Sequence, residues 1–168
     1  MVFNLIRPES SVCNQVCLSA ITTSVSFFIE GKVRRAVMIK SIDHIVLTAQ
    51  DTDKTIQFYC GVLGMTLDRF MPAGSSSERL ALCFGSQRIN LHQAASPYMP
   101  HAQNPISGAV DICFLSDTPI EEWIKIFTQY SIPVEEGPIA KTGATGPLCS
   151  IYVRDPDGNL IEVSNLTS

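Results

Sequence analysis

The chain has 168 residues and a formal net charge of -4, from 12 Lys and Arg against 16 Asp and Glu. Hydrophobic residues make up 45% and charged residues 17%, which excludes a disordered chain; a chain of this length also needs neither disulfides nor a structural metal to close a core. The acidic balance, with no cluster of Lys and Arg interleaved with aromatics, excludes a nucleic-acid surface, so function must come from a specific site.

Residues 1–39 differ in composition from the rest. Ser10 to Ile29 runs 20 residues without a charged side chain, but Asn14, Gln15 and seven Ser/Thr keep it too polar for a membrane span. Arg7 followed by Glu9 is a poor signal-peptide start. Few acids and the late bases Lys32, Arg34 and Arg35 fit a mitochondrial presequence loosely. The first reading is a poorly ordered extension on a cytoplasmic protein; a mitochondrial leader is the alternative. The six cysteines contain no C-x-x-C pair. Cys83 and Cys113 lie in apolar runs and read as buried free thiols in a reducing compartment.

From Lys40 a pattern runs once and then repeats. Ile42 to Leu47 is a short apolar strand. Asp51-Thr52-Asp53 offers helix-start chemistry, since a carboxylate or hydroxyl there accepts orphan backbone N–H groups. Ile56, Tyr59, Cys60 and Leu63 follow at helical spacing. Strands are expected at Thr66 to Phe70, Leu80 to Phe84 and Arg88 to His92. A Pro-rich linker, Gln93 to Gly108, precedes the second copy. It opens with Val110 to Leu115. Thr118 and Glu121 have capping-box spacing around Pro119, and Ile120, Trp123, Ile124 and Phe127 repeat the helical stripe. Strands are expected around Val134 to Glu136, Ser150 to Arg154 and Asn159 to Ser164, the last two joined by the turn Asp155-Pro156-Asp157-Gly158. The glycine-rich segment from Gly137 to Pro147 reads as a pocket lid; it lacks the Gly-Lys-Thr/Ser ending of a phosphate-binding loop.

Each half is βαβββ, and the domain spans 40–165 as modules 40–92 and 108–165. Strand alternation sorts the side chains. If Ile45, Leu47, Ile89, Leu91, Ile112, Phe114, Ile161 and Val163 face the helices, then His44, Asn90, His92, Asp111 and Glu162 face the other way. An imidazole with carboxylates suits zinc, nickel, manganese or iron. His44 can equally be a core histidine, and Asp111 a turn cap or a partner of an arginine.

Ile42-Asp43-His44-Ile45-Val46-Leu47, Phe58-Tyr59 with Val62-Leu63-Gly64-Met65, and Asp155-Pro156-Asp157-Gly158-Asn159-Leu160-Ile161-Glu162-Val163 resemble the vicinal-oxygen-chelate superfamily. That superfamily includes glyoxalase I, bleomycin-resistance proteins, fosfomycin-resistance thiol transferases and extradiol dioxygenases. Phe84 to His92 and Ser107 to Cys113 narrow the resemblance to a glyoxalase-domain-containing group. It implies an α+β fold, two βαβββ modules forming an incomplete barrel around a central cavity. It also implies a divalent metal held at His44, Asp111 and Glu162. Asp111 stands where the family often has His, and Asn90 where glyoxalase I has Glu.

The expected function is a metal-dependent lyase, isomerase or transferase on a small oxygenated substrate. Glu162 or His92 moves the proton, and Asn90 and His92 line the substrate pocket. The alternatives are a non-catalytic ligand-binding protein of bleomycin-resistance type and a ring-cleaving dioxygenase. The resemblance also implies a homodimer; no nucleic acid or membrane partner is expected.

Overall fold

The computed structural model describes residues 26–29, 32–35 and 38–167. The chain divides into two compact units, Met1–Ser41 and Ile42–Ser168. In the first, β1 (Ser26–Ile29) and β2 (Lys32–Arg35) pair antiparallel, with Ile29 opposite Lys32. The sequence analysis placed no element there. Met38 and Ile39 are exposed, and the other residues of the expected extension or leader lie outside those described.

The second unit holds the repeat. Its first module is β3 (His44–Ala49), α1 (Thr52–Ile56), β4 (Thr66–Phe70), β5 (Arg79–Phe84) and β6 (Gln87–Gln93). The second is β7 (Asp111–Leu115), α2 (Ile120–Gln129), β8 (Glu136–Thr142), β9 (Pro147–Arg154) and β10 (Leu160–Leu166). Each module forms a four-stranded mixed sheet with one topology, β3-β6-β5-β4 and β7-β10-β9-β8. The first strand pairs parallel to the fourth, and the other pairs are antiparallel. The α+β expectation holds, and the two sheets are not closed into one barrel.

Local sequence explains most of the elements. Asp51 Oδ1 accepts the Lys54 N–H at 3.1 Å and starts α1. The helix then widens into a π-helical stretch, Gln57–Val62, in which the Leu63 N–H reaches the Phe58 carbonyl at 3.1 Å. The wider turn buries the consecutive residues Phe58 and Tyr59. At α2 the expected capping box does not form. Pro119 flanks the helix without a side-chain cap. Asn165 of β10 does the work instead: its Oδ1 accepts the Ile120 N–H at 2.9 Å, and its Nδ2 donates to the Ser116 and Thr118 carbonyls at 2.6 and 2.8 Å. The segment read as a lid is largely strand β8, followed by a tight turn closed by the Gly143 N–H on the Gly146 carbonyl at 2.9 Å.

The core explains how the modules meet. Leu47, Leu82, Ile89 and Leu91 of the first sheet join Trp123, Phe127, Ile151, Val153, Ile161 and Val163 of the second module in one buried cluster. These are the helix-covered sides of both sheets. Phe84 and Phe114, on those sides, meet edge to face at 5.3 Å. Tyr59 beside α1 donates to Asp155 Oδ2 in the β9–β10 turn at 3.0 Å. The two sheets thus share their helix-covered faces, and the opposite, open faces carry the polar positions. No helix among the described residues is long and apolar enough to cross a membrane.

Candidate functional site

Strand register lays out the open face of the first sheet. His44 stands opposite Arg88, and Arg88 opposite Cys83. In the next row Val46 faces Asn90, Asn90 faces Ala81, and Ala81 faces Asp68. Thr48 then faces His92. This is the alternation expected for His44, Asn90 and His92.

Their environments differ. The His44 side chain is 44% exposed, and its Nδ1 lies 2.7 Å from Asp43 Oδ1. It rims a hollow of about 180 Å³ at the seam of the two sheets, with Ile45, Phe84, Arg88, Cys113 and Phe114. Asn90 is already engaged: its Oδ1 accepts from Arg88 Nε at 2.8 Å. The Arg88 guanidinium lies 4.1 Å from the centre of the Phe70 ring, and its Nη1 lies 3.7 Å from Asp68 Oδ2. His92 is only 6% exposed and stands edge-on to Tyr98 at 5.4 Å. Its Nδ1 is buried without a hydrogen-bond partner. Burial first, then the charges of Arg79 and His101, hold its pKa below the ordinary histidine value.

On the second sheet, Asp111 opens β7 and is exposed opposite Leu160. Glu162 sits between Cys113 and Tyr152. Glu162 Oε1 accepts from Ser164 Oγ at 3.2 Å, and that hydroxyl also lies 2.8 Å from Ser150 Oγ and 3.3 Å from Cys113 Sγ. Glu162 and Cys113 border a hollow of about 370 Å³ lined also by Lys141, Thr145 and Tyr152, with the two serines buried behind it. Lys141 Nζ lies 5.2 Å from the centre of the Tyr152 ring and 3.7 Å from Glu136 Oε1. Burial pushes the Tyr152 pKa up to about 12, helped by the neighbouring Glu162 carboxylate. Burial raises the Cys113 thiol pKa as well; the Ser164 contact lowers it, and the charge of Glu162 raises it.

Cys113 corrects the sequence analysis. It is exposed rather than core, because Ile112 and Phe114 take the helix-covered side of β7. Glu162 meets Cys113 in one hollow and His44 meets Cys113 in another, whereas Asp111 lines neither. Among the described residues no three His, Cys, Asp or Glu side chains converge closely enough to hold a metal. The sequence analysis also passed over Tyr152, Ser150 and Ser164. Alternation along β9 and β10 puts all three on the face of Glu162, so the signal was present in the pattern.

The family model described as Glyoxalase/Bleomycin resistance protein/Dioxygenase superfamily matches residues 41–163. A virulence protein of Salmonella typhimurium is 47% identical over 128 residues, covering 76% of this chain and 85% of that protein. Its crystal structure superposes with a TM-score of 0.72 over 78% of this chain and all of that one. A glyoxalase domain-containing protein of Mycosarcoma maydis is 46% identical over 136 residues, 81% of this chain and 74% of that protein. The crystal structure of a lactoylglutathione lyase from Agrobacterium tumefaciens, at 28% identity, gives a TM-score of 0.55 over 76% of this chain and 94% of that one.

Proposed function

The chain belongs to the glyoxalase/bleomycin resistance/dioxygenase superfamily, and from that premise we propose that it is a metal-dependent lyase, isomerase or transferase acting on a small oxygenated substrate. The observation that carries this reading is Glu162, a half-buried carboxylate at the wall of the 370 Å³ hollow, with a hydroxyl and a phenol beside it. His44, Asp111 and Glu162 fit a divalent cation by donor type. They do not fit by place within one chain, since His44 belongs to the first sheet and the two carboxylates to the second. A second copy supplies the missing half: His44 of one chain faces Asp111 and Glu162 of the other in a homodimer.

A divalent cation bound there would act as Lewis acid toward two neighbouring substrate oxygens. The chain's own residues do the rest. Ser164 holds Glu162 Oε1, which leaves Oε2 free to take and return a substrate proton. Tyr152, protonated at neutral pH, stands opposite Glu162 in the β9–β10 register and holds its phenol proton beside that carboxylate. Leu148, buried at the base of the hollow, gives it an apolar floor.

The test uses His44→Ala and Glu162→Gln. The wild-type chain, purified without tag histidines, should bind close to one Zn, Ni, Mn or Fe(II) per chain, and each variant much less. Unfolded together and refolded, the two variants should recover about a quarter of the wild-type sites, because half the dimers are mixed and each mixed dimer holds one intact site. No recovery, with wild-type binding intact, would place the site in one chain. No binding by the wild-type chain would remove the metal.

A second reading, a ligand-binding protein without catalysis, is favoured by Asn90, whose amide oxygen is taken by Arg88. Saturable ligand binding that survives both chelation and the two substitutions would select it. The dioxygenase reading lacks the second histidine that group usually carries, since position 111 is Asp.

A further inference from the structure

We propose that Arg79 and His92 form a carboxylate-binding subsite on the open face of the first sheet, roofed by Tyr98. Register puts the pair side by side: Leu80 stands opposite Leu91, so Arg79 at the start of β5 falls next to His92 near the end of β6. Each carries a buried side-chain nitrogen without a hydrogen-bond partner, Arg79 Nε and His92 Nδ1. Two such atoms on neighbouring strands are costly for a folded chain unless a ligand takes them up. Among the described residues Arg79 also has no ion-pair partner. The adjacent Glu78 pairs with Arg69 at 3.0 Å.

The linker supplies the roof. The Arg79 guanidinium carbon lies 3.8 Å from the centre of the Tyr98 ring, and the Tyr98 hydroxyl donates to the Glu78 carbonyl at 2.9 Å. A guanidinium held against an aromatic face keeps its edge for in-plane acceptors, and a carboxylate is the planar acceptor that matches that fork. His92, kept neutral by burial and by Arg79, adds one N–H when its proton sits on Nδ1. A carboxylate selects that tautomer.

The subsite also sets a length. His92 pairs with Thr48, four residues along β3 from His44, a distance of roughly 13 Å at the rise of a strand. A substrate that used both ends of this face would carry its carboxylate about that far from its reacting oxygens. This deepens the proposed function and rests on reading the open face as a ligand site, but it does not depend on the metal.

The test titrates the full-length chain with acetate and with its neutral isostere acetamide, in the presence of a chelator, following the ring carbon and nitrogen shifts of His92 by NMR. Acetate should move the His92 signals saturably, whereas acetamide and chloride should not. Arg79→Met should weaken acetate at least tenfold, and Arg79→Lys, which keeps the charge and loses the fork, by less. Thermal melts matched to the wild-type chain establish whether each variant folds. If neither folds, the wild-type titration against acetamide decides alone. The proposal is overturned if His92 is unmoved at about 100 mM acetate, far above a millimolar Kd, if chloride produces the same shift, or if inorganic phosphate binds tighter than acetate. Chelation removes any metal, so failure here and failure of the metal reading are separate results.

Discussion

Replacing Tyr59 with Phe probes the joint between the two modules. Tyr59 is fully buried and donates to Asp155 Oδ2 at 3.0 Å. Asp155, also buried, accepts from Asn159 Nδ2 at 2.7 Å and from the backbone N–H groups of Asp157 and Asn159, both at 2.9 Å. A hydrogen bond to a charged group is worth about 1.5–3 kcal/mol, so Tyr59→Phe should cost about 2 kcal/mol at pH 8. Burial first, and then the charge of Asp155, drives the phenol pKa well above its ordinary 10.0. A raised folded-state pKa means that the contribution is whole below pH 10 and is lost as the pH climbs beyond it, because the unfolded chain releases a proton that the folded chain must keep. At pH 11 that loss is about 1.4 kcal/mol. The advantage of the wild-type chain over the variant should therefore fall from about 2 kcal/mol at pH 8 to about 0.6 kcal/mol at pH 11. Urea unfolding followed through Trp123, the single tryptophan, measures both chains at each pH, and the other tyrosines cancel in the difference. A gap that stays constant from pH 8 to 11, or no gap at pH 8, would refute the reasoning.

Gly108→Ala should destabilise the chain by about 2–4 kcal/mol in the same urea assay, since φ is +72° there and an added Cβ would sit 2.5 Å from the Asp157 carbonyl oxygen. Asn165→Ala removes the cap of α2 and three hydrogen bonds, and should cost about 1–2 kcal/mol; thermal unfolding by circular dichroism reads it. Cys113 is exposed, with its thiol pKa raised above the ordinary thiol value by partial burial and the Glu162 carboxylate. Its iodoacetamide alkylation, followed by peptide mass spectrometry, should still be accelerating through pH 9, where an ordinary thiol begins to level off. Glu162→Gln removes the like charge beside it and should bring that profile to lower pH.

The repeat was legible because strand and helix periods differ. Ile45 and Leu47 at spacing two, and Ile120, Trp123 and Phe127 at helical spacing, have no other common reading. Glu162 was legible through its flanks, since Ile161 and Val163 can only be core if the residue between them is not. The exposure of Cys113 was legible but was overruled by its apolar neighbours, since Ile112 and Phe114 on the helix side leave it on the open face. Two features were not legible, for one physical reason: each depends on chain distant in sequence. The α2 cap comes from Asn165, some forty-five residues beyond Ile120. The stack of Tyr98 on Arg79 arises because a Pro-rich linker folds back over the sheet it leaves, and composition does not reveal that path.

The way the modules join also governs where chemistry is possible. A βαβββ module has one apolar side, made by its helix and alternate strand residues, and one open side. Burying two apolar sides in a common core removes the most hydrophobic surface from water in a single chain. The consequence is geometric: His44, Asn90 and His92 remain on one open face, and Asp111, Cys113 and Glu162 on another. The edge strands β3 and β7 retain the exposed apolar residues Val46 and Leu115 beside those polar groups. A second copy set with its second sheet over the first sheet of its partner would cover both residues and bring an imidazole against a carboxylate. On the proposed reading, the same arrangement that stabilises the core of one chain leaves each open face short of half its site, and a variant that keeps the core while blocking the pairing should fold and bind no metal.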